Sequence, residues 1–128
     1  MRIAIYTPYL DTAGGGEKYM LTIATALSPK HQVEILLDEH LASIDLEQIK
    51  ERLTKLHQFD LSKIKFTAKN RGEGYDYLFY NCDGSLFYNR AKNGILHFQT
   101  PLDTVAVKGV WNQIKLKTWK LAIYNSQF

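Results

Sequence analysis

The sequence has little cysteine, little proline and no long hydrophobic run. Its 128 residues include one cysteine, Cys82, and three prolines. A lone cysteine excludes an intramolecular disulfide and any multi-cysteine metal site, which indicates a reducing compartment. The apolar stretch at the N-terminus stops at Pro8, too short for the core of a signal peptide or for a membrane span. We therefore expect a cytoplasmic protein with no transmembrane segment.

The charge balance is mildly basic and the hydrophobic content is ordinary. Sixteen Lys and Arg against 13 Asp and Glu give a net charge of +3, which favours anionic partners only weakly. Eight tyrosines are present, but no RNA-binding signature accompanies them, so we expect no nucleic-acid partner. A hydrophobic fraction of 45% over this length predicts a single domain, residues 1–128.

Strand and helix patterns alternate from the N-terminus onward. Residues 2–8 form a continuous β-rich run, residues 17–28 carry apolar side chains at helical spacing, and residues 32–37 return to strand character. This order predicts a right-handed parallel crossover. We also predict helices at 44–57 and 107–120, and strands at 64–68, 75–81, 93–101 and 121–125. The expected fold is α/β, a three-layer Rossmann-like domain with a mainly parallel sheet of about six strands.

Three consecutive glycines, Gly14, Gly15 and Gly16, lie between the first strand and the first helix. Without Cβ atoms the backbone can approach a ligand and take positive φ, and the helix N-terminus can offer N–H groups to a phosphate. The alternative is that the glycines only allow a tight turn. Dinucleotide-binding and P-loop spacings starting at Gly14 are both excluded, because each needs glycine where Tyr19 stands.

Four segments resemble the N-terminal, acceptor-side domain of family 4 retaining glycosyltransferases, which have the GT-B fold. They are TAGGGEKYMLTIATALS, QVEILL, YDYLFYN and LAIYNSQF. The resemblance implies a fragment of a hexosyltransferase-type enzyme that transfers a sugar, with retention, from a nucleotide-sugar donor to a sugar or lipid-linked acceptor. It also implies that a C-terminal half, absent from this chain, holds the donor. We therefore expect little activity from the chain alone and no further cofactor or metal.

The same resemblance implies a set of substrate-binding residues but no catalytic one. In HFQTP, residues 97–101, related enzymes often have histidine at the position of Gln99, and His97 lies two residues earlier. An amide can hydrogen bond a sugar hydroxyl, and His97 faces the same side of a regular strand, although it could also be a core histidine. The implied substrate-binding set is Gly14, Gly15, Gly16, Glu17, His97, Gln99, Asn125 and Ser126.

Other functions stay open beside the enzyme. A non-enzymatic α/β module could bind an anion or a protein partner through the triple-glycine loop, and an interaction protein could pair with a separately encoded donor half. The mix of lysines with Trp111 and Trp119 suits peripheral contact with a membrane. We favour a solvated helix with buried tryptophans instead, because Lys115 interrupts the apolar face.

Overall fold

The computed structural model describes residues 1–41, 43–68, 71–82, 89–98 and 109–126. The chain divides into two compact units, Met1–His97 and Phe98–Phe128. In chain order the elements are β1 (Arg2–Tyr6), α1 (Gly15–Leu27), β2 (Gln32–Leu37), a 3₁₀ turn (Glu39–Leu41), α2 (Leu46–His57), β3 (Lys65–Ala68), β4 (Tyr77–Cys82), β5 (Asn93–Phe98) and α3 (Val110–Ser126). The prediction of an α/β fold with a parallel sheet is confirmed.

The sheet has five strands in the order β3-β2-β1-β4-β5. β1 is central and pairs in parallel with β2 on one edge and with β4 on the other. Ile5 of β1 is aligned with Ile35 of β2 and with Phe79 of β4. Because β1 is bonded on both edges and buried on both faces, its sequence is nearly all apolar, as in other parallel sheets.

Helices α1 and α2 cover one face of the sheet. In α1 the buried apolar side chains are Met20, Leu21 and Ala24, which share one side of the helix because Met20 and Leu21 lie four and three residues before Ala24. In α2 the corresponding side chains are Ile49 and Leu53. Both helices pack on β1 and β2 residues such as Ile3, Ile5, Val33 and Ile35 to form the main core.

The start of α2 is fixed by its N-cap. The Asp45 carboxylate accepts a hydrogen bond from the backbone N–H of Glu47 at 3.0 Å, satisfying a donor that the helix itself cannot pair. Lys55 and His57 lie in the last turn, where positive charge complements the helix dipole. The predicted helix is therefore confirmed, with a start at Leu46.

The opposite face of the sheet contains a buried carboxylate, Glu34 of β2, which is 3% exposed. Its Oε2 accepts hydrogen bonds from the Tyr75 hydroxyl at 2.7 Å and from Thr67 at 2.9 Å. Nζ of Lys65 and a guanidinium nitrogen of Arg2 lie 3.8 and 3.5 Å from the carboxylate. Burial by itself raises the pKa of Glu34. The hydrogen bonds and the Lys65 charge lower this pKa by more than burial raises it, so the net shift is downward.

Tyr75 belongs to the connection between β3 and β4, which passes from one side of the sheet to the other. Its side chain is 1% exposed and packs with Ala4, Leu36 and Leu78. Burial, followed by the neighbouring Glu34 carboxylate, raises the pKa of Tyr75 to about 12. The described part of this connection contains no helix, so the Tyr75 hydrogen bond to Glu34 attaches the crossing chain to β2.

The second unit contains helix α3, which corrects two predictions. Residues 121–125 were predicted to form a strand, but they continue α3 without a break. The segment from Val110 to Ser126 contains no glycine or proline, so nothing ends the helix at residue 120. Trp111 is 78% exposed, so the prediction of buried tryptophans is wrong at that position. Within the described residues, no helix is long and apolar enough to cross a membrane.

Replacing Tyr75 with phenylalanine tests the role of its hydroxyl. We expect Tyr75→Phe to lower the free energy of unfolding by about 1.5–3 kcal/mol, the effect of losing a buried hydrogen bond to a charged group. Urea denaturation measures this. Tyr77→Phe is the matched control, because the Tyr77 hydroxyl makes no hydrogen bond within the described residues, and a similar loss in both variants would contradict the assignment.

Candidate functional site

The strand order opens a crevice at one end of the sheet, between β1 and β4. The chain leaves β1 toward β2 on one side, whereas β5 follows β4 on the other side. In open parallel sheets, ligands bind beyond the carboxyl ends of the strands at such a reversal. Thr7 and Asn81 come one residue after Tyr6 and Tyr80, the last aligned pair of the two strands. These two polar residues therefore lie at the edge where this fold places ligands.

The triple-glycine loop leads from β1 to α1 and its backbone is not left-handed. Gly14 is the N-cap of α1, with an extended backbone at φ −79° and ψ −169°. Gly15 and Gly16 form the first helical residues, and none of the three glycines has positive φ. The residue with positive φ is Ala13, at 52°. The expectation that the glycines serve a positive φ is therefore wrong, and a close approach is seen at Gly14 but not at Gly15.

The group that approaches them is the Glu17 carboxylate. Glu17 is 6% exposed, and its Oε1 accepts a hydrogen bond from the Thr7 hydroxyl at 3.1 Å. Its Oε2 accepts a longer one from Thr12 at 3.5 Å. A Cβ on Gly14 would stand 2.9 Å from the same Oε2, closer than real Cβ contacts allow. A side chain at position 14 would therefore require the carboxylate end of Glu17 to shift.

Asn81 is the polar residue at the crevice that sequence reasoning missed. Its side chain is 5% exposed, and its Oδ1 has no hydrogen-bond partner within the described residues. Phe79, two residues earlier, packs against the main core under α1, so alternation along the strand directs Asn81 to the same face. The sequence signal was an asparagine ending an apolar strand, but nothing in the sequence showed that this strand adjoins β1.

His97 of β5 is brought to α1 by ring stacking. Its imidazole lies against the Tyr19 ring with a centroid distance of 4.4 Å and an interplanar angle of 29°. The His97 side chain is half-buried, and Tyr19 is 44% exposed. His97 is therefore not a fully buried core histidine. The stacked pair stands beside the start of α1, one turn from the glycine loop.

The other implied site residues do not belong to the described part of the first unit. Gln99 lies outside the described residues. Asn125 and Ser126 form the last turn of α3, in the second unit, and not the end of a strand as the resemblance implied. The residues that the fold does bring to one edge are the glycine loop, Glu17 and Asn81.

A second polar cluster lies at the carboxyl ends of β1 and β2. Asp38 follows β2 directly, and its Oδ1 lies 2.8 Å from Nδ1 of His40. The Tyr6 hydroxyl donates a hydrogen bond to the other carboxylate oxygen of Asp38. Nε2 of His40 lies 3.6 Å from Oδ1 of Asp11, in the loop after β1. His40 thus bridges that loop to the turn after β2.

The neighbouring carboxylates shift the titration of this cluster. The hydrogen bond with Asp38, more than any other contact, raises the pKa of His40, and Asp11 adds to the effect. Burial alone would raise the pKa of Asp38, but the hydrogen bonds from Tyr6 and His40 outweigh it and lower that pKa. Among the described residues, no three His, Cys, Asp or Glu side chains are arranged to hold a metal ion.

Comparisons of the chain with models of protein families, with curated proteins and with solved structures give no match. The case for a function therefore depends on the segments quoted above and on the geometry of the crevice.

The first test of the loop compares two adjacent glycines. We expect Gly14→Ala to lower the free energy of unfolding by about 1 kcal/mol or more, since alanine is a poor N-cap and its Cβ displaces the Glu17 carboxylate. Gly15→Ala should raise it by up to about 1 kcal/mol, because a Cβ there meets nothing within 4 Å and the residue is helical. Urea denaturation measures both, and equal effects would contradict the packing described here.

The second test concerns His40 and pH. Because the folded-state pKa of His40 is raised above about 6.5, the stability it contributes is complete below that pH and is lost as pH rises through the folded pKa. We expect His40→Gln to lower the Tm more at about pH 6 than at about pH 9. Thermal unfolding followed by circular dichroism measures the difference. A decrease in Tm of the same size at both pH values would show that the ion pairs of His40 with Asp38 and Asp11 contribute nothing to stability.

Proposed function

We propose that this chain is the acceptor-side half of a retaining glycosyltransferase and that the crevice between β1 and β4 binds a sugar. The observation that carries the proposal is a buried acceptor, Oδ1 of Asn81, that has no hydrogen-bond partner among the residues the structure describes and lies at the edge where the strand order reverses. A carbonyl oxygen in that position is completed by a ligand that donates a hydrogen bond, and a sugar hydroxyl is such a donor.

The Glu17 carboxylate beside the glycine loop favours a neutral, hydroxylated ligand over a phosphate. The positive end of the α1 dipole is already occupied by the Glu17 carboxylate, which accepts hydrogen bonds from Thr7 and Thr12. A phosphate brought to this loop would meet a second negative charge with little water to screen it. Sugar hydroxyls carry no charge and can donate to carboxylate or amide oxygens.

The Tyr19 and His97 rings add an aromatic surface, which sugars bind in addition to hydrogen-bonding groups. Aromatic faces pack against the C–H side of a pyranose, while hydroxyls reach polar atoms at the ring edge. The stacked pair is partly exposed and adjoins the start of α1. Acceptors on one side and aromatic rings on the other together suit a monosaccharide unit of an acceptor.

The donor diphosphate belongs, in this proposal, to a separate C-terminal half, as the resemblance to family 4 implies. Catalysis between two halves depends on bringing the reactants together, which can account for about 7–11 kcal/mol of the barrier. A sugar bound to this chain alone should therefore not react. The competing proposal is a module that binds an anion at the glycine loop, and the two differ in the ligand they accept.

Sugar binding can be tested directly by NMR. The ¹⁵N-labelled chain is titrated with glucose, galactose, mannose and N-acetylglucosamine, and separately with inorganic phosphate and uridine diphosphate. We expect at least one sugar to shift the amides of Thr7, Gly14–Glu17 and Asn81 with a Kd on the order of 1–10 mM. Movement of these amides by phosphate or uridine diphosphate, with no response to any sugar, would favour the anion-binding module instead.

Asn81→Leu separates a ligand role from a structural one. Leucine removes a buried acceptor that has no partner in the described part of the chain, so the free energy of unfolding should stay the same or rise by about 1–3 kcal/mol. Sugar-induced shifts should nevertheless disappear. Glu17→Gln should weaken binding as well, whereas Glu47→Gln, the same change in the first turn of α2, is the matched control. Sugar binding by Asn81→Leu as tight as by the native chain would contradict the assignment.

A further inference from the structure

A cavity lies on the helix-covered side of the sheet, between the loop after β1 and helix α2. Its volume is about 300 Å³. Its lining residues are Leu10, Asp11, Ile44, Gln48, Ile49, Arg52 and Leu53. None of the residues assigned above to the β1–β4 crevice belongs to this set. A volume of this size equals about ten water molecules in the liquid and lies at the small end of ligand sites.

The floor of the cavity is apolar and buried. Leu10 and Leu53 are at most 1% exposed, Ile49 is 6% exposed, and Ile44 stands at the rim with 36% exposure. An apolar floor favours a ligand with a hydrocarbon body, since burying that body removes its surface from water.

Two opposite charges line the same cavity without neutralising each other. Oδ1 of Asp11 is buried and makes no hydrogen bond within the described residues, and its 3.6 Å separation from Nε2 of His40 is too long for one. Arg52 is exposed and forms no ion pair with any residue that the structure describes. Gln48, one turn before Arg52 on α2, adds an amide to the cationic side.

We propose that this cavity is a binding site for a small zwitterion with an apolar body, namely an α-amino acid with an aliphatic side chain. The ammonium group donates to Asp11, the carboxylate pairs with Arg52, and the side chain packs on Leu10, Ile49 and Leu53. Complementarity of both charges and of the apolar floor selects this class, because a simple carboxylic acid leaves Asp11 with only its long contact to His40 and a simple amine gives Arg52 no anionic partner. The site is independent of the sugar site at the β1–β4 crevice.

The proposal is tested with L-leucine as the probe. Isothermal titration calorimetry and ¹⁵N chemical shifts of the full chain are measured with L-leucine and with two truncated analogues. Isocaproate lacks the ammonium group, and isoamylamine lacks the carboxylate. We expect L-leucine to bind with a Kd on the order of 1 mM and to shift the amides of Leu10, Asp11 and Ile49. Each analogue should bind about tenfold more weakly, the loss of one hydrogen-bonded charge.

Substitutions of Asp11 and Arg52 test which group of the ligand each residue binds. Asp11→Asn and Arg52→Gln should each weaken L-leucine binding by about tenfold, whereas Lys55→Gln, a cation on α2 that does not line the cavity, should leave it unchanged. Thermal unfolding shows whether each variant folds, and both positions are partly or fully exposed, so folding should persist. The proposal is overturned if L-leucine gives no shifts at these amides, or if isocaproate binds as tightly as L-leucine.

Discussion

The pairing of β1 on both of its edges is the constraint on which the other elements depend. Four of its five residues are buried, and β2 and β4 take up its backbone hydrogen bonds on either side. Polar groups can therefore enter only where the strand ends. Thr7, the first residue after β1, is 1% exposed and donates to Glu17, so α1 begins from a fixed point on the sheet. Tyr6 does the same for the turn after β2 through its hydrogen bond to Asp38. The loops at the carboxyl edge are thus positioned by side chains of the central strand and its immediate extension.

Two buried polar residues of the sheet show what such burial requires. Glu34 is surrounded by two hydroxyl donors and two cations, so its charge is compensated in the interior. Oδ1 of Asn81 has nothing comparable within the described residues. An unpaired buried acceptor costs about 1–3 kcal/mol, and native proteins keep few of them. Packing alone favours an apolar residue at the end of β4. The retention of asparagine there is the kind of local conflict that proteins tolerate where a ligand completes the pairing.

The sequence predicted those elements whose apolar pattern had a clear period and a marked end. α2 was recognised because its apolar residues repeat at helical spacing and its first and last turns carry acidic and basic residues, and β2 was found with its observed bounds. Residues 121–125 were misassigned because a short apolar run is compatible with strand and helix alike, and no glycine or proline separates it from the preceding helix. The residues of the candidate site were harder to predict from the sequence. Gly14 and Glu17 are close in sequence and could be selected together. Asn81 comes to the same edge of the sheet only through the β1–β4 pairing, which no local pattern encodes. The pairing of Asp11 with His40 depends on the β1–β2 neighbourhood in the same way.

The Glu17 carboxylate beside the glycine loop also limits the charge of a ligand that the loop can hold. In loops that bind phosphate, several backbone N–H groups point into an empty concavity and a cation lies nearby. The ligand then supplies the only negative charge. Here the Glu17 carboxylate lies beside the loop, 2.9 Å from the position that a Cβ on Gly14 would take, and accepts a hydrogen bond from Thr7. The same three glycines that first suggested a phosphate cradle therefore mark a place where phosphate is disfavoured. A glycine-rich sequence does not by itself identify the group that lies next to its backbone. In this fold that group comes from the helix itself, and the chemistry it leaves for a ligand is hydroxyl donation to oxygen acceptors.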